Sequence, residues 1–543
     1  MKVACISPPP LKPSEPGLSA PAAAKVLCEL GVEALAIDAA IGWHAFALAP
    51  ERLDLCLEHR RAHGASHTEL ATLRRSKSSL ALRPALLRLP ETYRDRRRYS
   101  SAISHLENGL RLAAAPFPDL KLGVGTIAGT APNARPESSA WLAAFAAAPG
   151  PFDAYFTEVL IPRLRDERAT HVAVSVTFQA QAAAAFRFAV FARDHLPGVT
   201  RILGGPLVSC LHAVGIQTDR EPFTLFDRVV GGSDADLRQL AREALAAPVA
   251  GGAVGPLSAP LALCAADAYL APEPIIPAAL GRGCYWRHCT FCPERLMATR
   301  TARGMGGIEA WLQGVAARFP RGSMLHLTDA ALPVDELLRI AAVIARDRLP
   351  IRWHGFVRLE AELAQAEVAA ALAAGGCVML QLGVETGSPR LLSLLAKGGS
   401  PELARQVLRT TAAAGIKNEV YLLFGLPTET DADREATLAL VEAEAESIHA
   451  VNPALLNLPR GSAMQRAPAR FGITEIRPFH PATDLSLYDD FRCGARHPRL
   501  EARRYLARRF FKSRAVRALG VDLRSPLKAN HLCFLLADAE RRA

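Results

Sequence analysis

Gly281-Arg282-Gly283-Cys284-Tyr285-Trp286-Arg287-His288-Cys289-Thr290-Phe291-Cys292-Pro293 is the stretch on which the reading of the chain turns. Three of the eleven cysteines fall here within nine residues, at the start of a strand–helix series. Three thiolates on one loop can hold three irons of a four-iron cluster and leave the fourth iron without a protein ligand. An open metal position is what a catalytic centre needs, because a substrate or cofactor must bind there. Soft thiolates select iron–sulfur or zinc over harder ions. The loop also offers a zinc alternative, in which Cys284, His288, Cys289 and Cys292 form a set of three cysteines and one histidine.

Downstream of the loop, short apolar runs predict strands at 324–327, 351–354, 378–382, 420–424 and 454–458. Helices are predicted between them, most clearly at 337–345, 367–374, 401–414 and 433–444. Successive βα units of this size suit a full or partial (β/α) barrel, with chemistry at the carboxyl ends of its strands. Upstream, residues 3–6 and 34–37 read as strands around a helix at 22–30, which Pro21 opens and Gly31 stops. The pattern returns with a strand at 171–177, a helix at 180–194, a strand at 201–203 running into Gly204-Gly205-Pro206, and a strand at 226–230 ending in Gly231-Gly232. Strands that alternate with helices and end in glycine turns predict a doubly wound, Rossmann-like parallel sheet. The α/β chain is thus divided into a Rossmann-like domain over 1–245 with a helical insertion at about 40–150, a linker at 246–275, a barrel over 276–462 and a basic helical region over 463–543.

Composition bounds the function. At about 150 residues per domain, 543 residues suggest three or four units, and 50% hydrophobic with 22% charged residues excludes a disordered, collagen-like or disulfide-scaffold chain. Sparse, irregularly placed cysteines suit a reduced cytoplasm, and the net charge of +11 is a mild excess that does not by itself specify nucleic acid. The one charge-free stretch of membrane length, 244–266, is broken by three prolines and three glycines and reads as a linker. The expectation is a soluble, cytoplasmic protein without a membrane partner. The arginines of the tail, with Tyr505, Phe510 and Phe511, read as an amphipathic packing helix in preference to an RNA-binding surface.

The cysteine loop resembles that of radical S-adenosylmethionine (radical SAM) enzymes, whose usual pattern is Cys-x-x-x-Cys-x-x-Cys with an aromatic before the last cysteine. Phe291 fills the aromatic position; the departure is the first spacing, with four residues between Cys284 and Cys289. The segment 327–333 looks like the acidic strand end that follows in that family, and Arg358 resembles an arginine of the third strand. Gly383-Val384-Glu385-Thr386-Gly387-Ser388, with Lys397-Gly398 after it, resembles Gly-x-Glu-Ser-Gly-Ser. Gly425-Leu426-Pro427-Thr428-Glu429-Thr430 resembles Gly-Leu-Pro-Gly-Glu-Thr. The resemblance implies a [4Fe-4S] cluster on Cys284, Cys289 and Cys292, with S-adenosylmethionine (SAM) chelating its open iron. It further implies that Glu385 accepts hydrogen bonds from SAM, that Arg358 balances its carboxylate, and that Phe291, Gly425 and Leu426 pack beside adenine. Asp329 is open between capping the next helix and meeting substrate.

A doubly wound domain before such a barrel resembles the cobalamin-binding class of the family. Pro8-Pro9-Pro10, residues 12–16, Asp38, Ser175-Val176-Thr177, Gly204-Gly205-Pro206 and Gly231-Gly232 carry that likeness, and small residues at strand ends leave room for a macrocycle. The Asp-x-His-x-x-Gly motif that supplies an axial histidine is absent, and His212 is read as an ordinary surface or core histidine. The reading is a radical SAM enzyme with possible cobalamin, methylating an unactivated carbon of a small molecule or peptide and reduced by a donor such as flavodoxin or ferredoxin. No catalytic side chain is singled out. A cobalamin-independent or rearranging radical enzyme, a zinc-stabilised nucleic-acid-binding protein and an RNA methylthiotransferase stand as alternatives.

Overall fold

Val3, Ala4, Cys5 and Ile6 are all buried, a run without the in–out alternation of a half-exposed strand. They belong to β1 (Lys2–Ser7), which pairs in parallel with β2 (Glu33–Asp38) on one side and β5 (His171–Ser175) on the other. This computed structural model describes residues 1–68, 70, 71, 74, 77, 84–245, 257–264, 267–293, 301, 302, 307–519 and 525–537. The chain forms two compact units, one built on residues 1–277 with 480–486 and 525–531, the other on 278–479 with 487–524 and 532–543.

The first unit contains the doubly wound sheet, in the order β2-β1-β5-β6-β7, where β6 is Thr200–Gly204 and β7 is Arg228–Val229. Strand order reverses between β1 and β5, the switch point at which open sheets of this order leave a crevice at their carboxyl edge. The insertion expected to be helical also contains a hairpin, β3 (Leu120–Gly123) and β4 (Thr126–Gly129), closed by Val124 and a left-handed Gly125. Two residues is the turn length that favours such a hairpin, and the strands are too short to register as strand pattern. A short strand, β8 (Leu257–Ser258), follows in the chain; most of the expected linker before it lies outside the described residues.

The second unit opens with the end of β9 (Ile275–Ala279), and its short antiparallel pair β10 (Gly281–Arg282) and β11 (Thr301–Ala302) flanks the cysteine loop. Then β12 (Ser323–Leu327), β13 (Ile351–Val357), β14 (Cys377–Glu385), β15 (Lys417–Phe424) and β16 (Ala450–Leu455) add in sequence order, all parallel. A helix or helix pair fills each connection up to β16, the arrangement of a partial (β/α) barrel. Register partners share a face. Leu325, Leu327, Trp353, Val357, Leu380, Leu382, Val420 and Phe424 bury one face, while His326, His354, Gln381, Glu419 and Tyr421 line the other.

The region after 463, expected to be helical, does contain the helices Pro498–Arg508, Arg514–Ala518 and Lys528–Ala537. It also completes a small antiparallel sheet, β17 (Leu458–Pro459), β18 (Glu475–Pro478) and β19 (Tyr488–Arg492), in the order β17-β19-β18. Four- and five-residue strands rich in charge carry too little periodicity to be seen beforehand. Tyr505 and Phe510 turn inward, their rings 6.2 and 5.3 Å from that of Phe424. Among the described residues no helix is long and apolar enough to cross a membrane.

The turn into β14 leaves no freedom of residue type. Gly376 has φ +87°, and a Cβ there would meet the Ile351 carbonyl oxygen at 2.4 Å. Gly376→Ala should therefore lower the stability of the full chain by more than the ~1–2 kcal/mol of a left-handed L-residue. Urea unfolding measures this, and an unchanged midpoint contradicts it.

Candidate metal and cofactor site

The cysteine loop has little regular structure, so its backbone must find partners elsewhere. At its entry the buried Asp329 carboxylate accepts from the Leu280 N–H (2.9 Å) and the Gly281 N–H (2.8 Å). Of the two readings of Asp329, helix capping is not observed. The helix Val334–Asp347 starts after Pro333 without a side-chain cap, and Asp329 ties the end of β12 to the loop instead. Further along, four successive carbonyls at the end of the helix Pro389–Leu395 take up loop and strand donors. Leu394 O accepts from Thr290 Oγ1 (2.9 Å), Leu395 O from Thr290 N–H (2.9 Å), Ala396 O from Trp286 Nε1 (2.9 Å) and Lys397 O from Arg358 Nη2 (2.8 Å). The last carbonyls of a helix lack intrahelical partners, and here the loop supplies several.

Arg358 is buried in a fixed setting. Its guanidinium lies 3.6 Å from the Trp286 ring centroid, and Nη1 donates to Glu360 Oε1 at 3.0 Å. Glu360 also accepts from the Tyr285 hydroxyl. The sequence placed Arg358 at the site but gave no hint that Tyr285, Trp286 and Glu360 would clamp it.

Glu385 ends β14 at φ +65°, a left-handed conformation rare for a non-glycine residue, just after a register shift against β15. Strained positions and bulges at strand ends re-aim side chains at functional sites. Its Oε1 accepts from Lys397 Nζ at 2.7 Å. Burial alone would lower the Lys397 ammonium, but Glu385 together with Cys289 and Cys292 raises it. Lys397 Nζ also lies 5.9 Å from the Phe291 ring centroid. Arg358, Glu385 and Phe291, separate in the sequence, therefore meet at Lys397, which the motif reading quoted without assigning it a role.

Phe291 packs against the apolar cluster that contains the fully buried Leu426. Gly425, at φ +74°, would place a Cβ 3.0 Å from Arg499 Cα, so the fifth-strand turn tolerates no side chain there. Its N–H donates to the buried Glu429 carboxylate at 2.9 Å, which Arg434 Nε also meets at 3.0 Å. Burial pushes Glu429 up to about 7, against the pull of these two donors. Thr428 stands at φ +61°, where the resembled motif has glycine, and Arg390 holds its carbonyl at 3.0 Å.

None of the eleven cysteines is in a disulfide. Burial raises the Cys289 thiol, with the Lys397 charge opposing the shift and Cys284 adding to it. Among the described residues no group of three His, Cys, Asp and Glu side chains closes on one point as a metal-ion site. This holds for the three thiols alone and for the set with His288 alike. His288 is edge-on to Trp286 at 5.1 Å, and both line an open groove of about 530 Å³ with Leu392, Ser393, Ser400 and Glu402. The donor set fits a sulfur-ligated, negatively charged cluster: three thiols on a loop braced at several points, beside the buried Arg358 and the partly buried Lys397.

In the first unit, the carboxyl edge at the switch point is lined by small groups. Gly205 has φ +102°, and a Cβ there would lie 2.7 Å from the Val176 N and O atoms. Gly232 N–H donates to Ser209 Oγ at 2.8 Å, Ser19 and Thr177 share a hydrogen bond of 2.7 Å, and Phe178 is 60% exposed. The buried Ser7 and Ser14 hydroxyls have no hydrogen-bond partner among the described residues. The carboxyl edge at the switch point, where open sheets of this order bind ligands, thus presents small residues and two unpartnered hydroxyls. His212 is exposed and bonded to Thr218 at 2.9 Å, as its reading as an ordinary histidine implies.

Residues 279–441 match the Radical SAM superfamily model. The matched stretch contains the motifs just described from the cysteine loop to the fifth-strand turn. An uncharacterized methyltransferase of Pyrococcus horikoshii is 26% identical over 168 residues, 29% of this chain; the chain spans about a third (34%) of that relative's length. In fold, the chain is similar to the radical SAM methyltransferase TsrM of Kitasatospora setae, solved with tryptophan and a SAM analogue. The identity is 17% and the TM-score 0.45, over 60% of this chain and 70% of that one. It is also similar to the cobalamin-dependent radical SAM enzyme OxsB, at 14% identity and TM-score 0.41, over 57% and 48% of the two chains.

Asp329 is the tie whose loss should free the loop. Asp329→Ala strands two buried N–H donors and should destabilise the chain by about 1–3 kcal/mol, with faster modification of Cys284, Cys289 and Cys292 by a thiol reagent. Asp329→Asn, which keeps an acceptor, should fall between. Labelling rates equal to wild type in Asp329→Ala would show that the loop is held by its other contacts alone.

Proposed function

We propose that the chain is a radical SAM enzyme whose cluster is held by Cys284, Cys289 and Cys292, and that it transfers a methyl group to an unactivated carbon with the help of cobalamin in the first unit. The observation that carries the reading is the convergence of the cysteine loop, Arg358, Glu385 and Phe291 on Lys397 within the domain matched at 279–441. When bound, the cluster and cobalamin supply one-electron reduction of SAM and a carrier for a methyl group. The protein's own residues bind and orient. Asp329 and the carbonyls at 394–396 fix the loop, Glu385 presents a carboxylate for the ammonium or ribose hydroxyls of SAM, and Phe291 and Leu426 give an apolar wall for its base. Arg358 is committed to Glu360, Trp286 and the Lys397 carbonyl, so its part is to hold the loop and lend charge; its second Nη1 contact, to Tyr285, is long at 3.5 Å. Gly204, Gly205, Gly231 and Gly232 let the strand-end loops at the switch point pack closely on one another, and cobalamin would bind at the carboxyl edge they shape. Substrate, a small molecule or peptide, and a one-electron donor of the flavodoxin or ferredoxin class are the partners this chemistry calls for.

Anaerobic purification with iron, sulfide, zinc and cobalt analysis tests the reading. About four irons per chain, with SAM cleaved under dithionite, is the expected result. Cys284→Ala, Cys289→Ala and Cys292→Ala should each abolish both. Cobalt retained after cobalamin is supplied supports methyl transfer, and iron without cobalt moves the reading to a cobalamin-independent radical enzyme. One zinc per chain and no iron sinks it.

A further inference from the structure

We propose that Lys397 is the fixed cation of this site: it positions Glu385 and, through its charge beside Cys289 and Cys292, sets the potential at which a cluster on those thiols takes up an electron. The inference rests on the cluster reading above.

Several independent features converge on this one side chain. Lys397 follows Ala396 and precedes Gly398 and Gly399, at φ +50°, +79° and +77°, so the chain after the helix Pro389–Leu395 is wound left-handed around it. That turn delivers a long side chain into the site, where it is 15% exposed. Nζ meets Glu385 Oε1 at 2.7 Å and is 5.9 Å from the centre of Phe291, the residue just before Cys292. Gly383, at the register shift, would place a Cβ 2.6 Å from Nζ and 3.0 Å from Glu385 Oε1. The missing side chain there is the space the pair occupies. A Cβ on Gly398 would likewise stand 3.0 Å from Arg358 Nη2 and from the Trp286 ring. The Lys397 carbonyl is engaged as well, by Arg358 Nη2 at 2.8 Å.

Arg358 is the other cation nearby, and it is less suited to the role. Its charge is matched by Glu360 and spread over the Trp286 face. Lys397 Nζ stands 5.9 Å from the ring of Phe291, the neighbour of Cys292 in the loop, and its charge acts on Cys289 more strongly than that of Arg358. Glu385 is held directly by Lys397, and the two charges act on Cys289 in opposite senses. Adding an electron to a cluster makes it more negative, and a fixed positive charge in a dry setting favours the reduced form. The ammonium keeps its proton throughout; one electron enters, supplied in the test by dithionite.

Reconstituted wild type and the variants Lys397→Gln, Lys397→Arg and Glu385→Gln would be titrated with dithionite without SAM, after iron and sulfide have been counted. Lys397→Gln should shift the midpoint to more negative potential, lowering the reduced-to-oxidised ratio at fixed poise by about tenfold, or about 59 mV for a one-electron couple. Glu385→Gln, which leaves the cation uncompensated, should shift it the opposite way, and Lys397→Arg should stay near wild type. Shifts of opposite sign are a signature that mere loosening of the loop would not produce. Equal midpoints for wild type and Lys397→Gln at equal iron content overturn the proposal. If Lys397→Gln fails to fold, an unchanged midpoint in Glu385→Gln overturns it by itself. A wild type that assembles no cluster is a different failure: it removes the reading of the site, and the proposal with it.

Discussion

A loop that must present three thiols cannot also satisfy its backbone with a regular ladder, and this constraint organises the second unit. The polar groups of residues 280–290 are instead tied to fixed points of the barrel. A carboxylate at the end of β12 takes the two N–H groups at the loop entry, and carbonyls at the end of the helix Pro389–Leu395 take the Trp286 and Thr290 donors. Each tie satisfies two needs at once, since buried donors and the last carbonyls of a helix are both costly to leave alone.

The same economy explains where the backbone is strained. Glu385 and Thr428 are left-handed without being glycine; one ends β14 and the other stands in the turn after β15. A left-handed L-residue costs about 1–2 kcal/mol, so these positions persist because neighbours over-determine them. Lys397 holds Glu385, and Arg390 holds Thr428 through both its carbonyl and its hydroxyl. Glycine is used where a side chain would strike something fixed, as at Gly425 against Arg499 and at Gly383 against the Lys397–Glu385 pair. Strain is tolerated at side chains the site needs, and glycine appears where the site needs space.

Much of this was legible in the sequence, and for identifiable reasons. The strands β12 to β15 are short apolar runs between helical segments, and their hydrophobic spacing gives them away, as the cysteine spacing and the motifs around Glu385 and Gly425 mark the loops; the run expected at 454–458 meets β16 (Ala450–Leu455) only at 454 and 455. What stayed hidden depends on pairs far apart in the chain. Nothing in residues 327–333 says that Asp329 will reach back to Leu280 and Gly281 rather than cap the next helix. Lys397 lies twelve residues beyond Glu385, past a helix, and only the left-handed turn at 396–399 brings it back. The polar face of the barrel was the one signal available and unused: His354, Gln381, Glu419 and Tyr421 alternate with buried aliphatics at period two, and Gln381 joins Glu419 and Tyr421 at 3.0 and 3.1 Å.

Charge ties these parts to function. A negatively charged cluster on three thiolates needs compensation that does not titrate away and does not bind the thiols itself. Arginine stacked on Trp286 and matched by Glu360 provides a rigid frame, because its planar fork is used up in contacts. Lysine provides a compact charge at the end of a long stem, which here reaches the Glu385 carboxylate. Exchanging the two would lose both properties, since a lysine at 358 could not bridge Trp286, Glu360 and a carbonyl together. The division of labour between Arg358 and Lys397 follows from the shape of each cation, which is why a sequence reading that sees only positive charge cannot separate them.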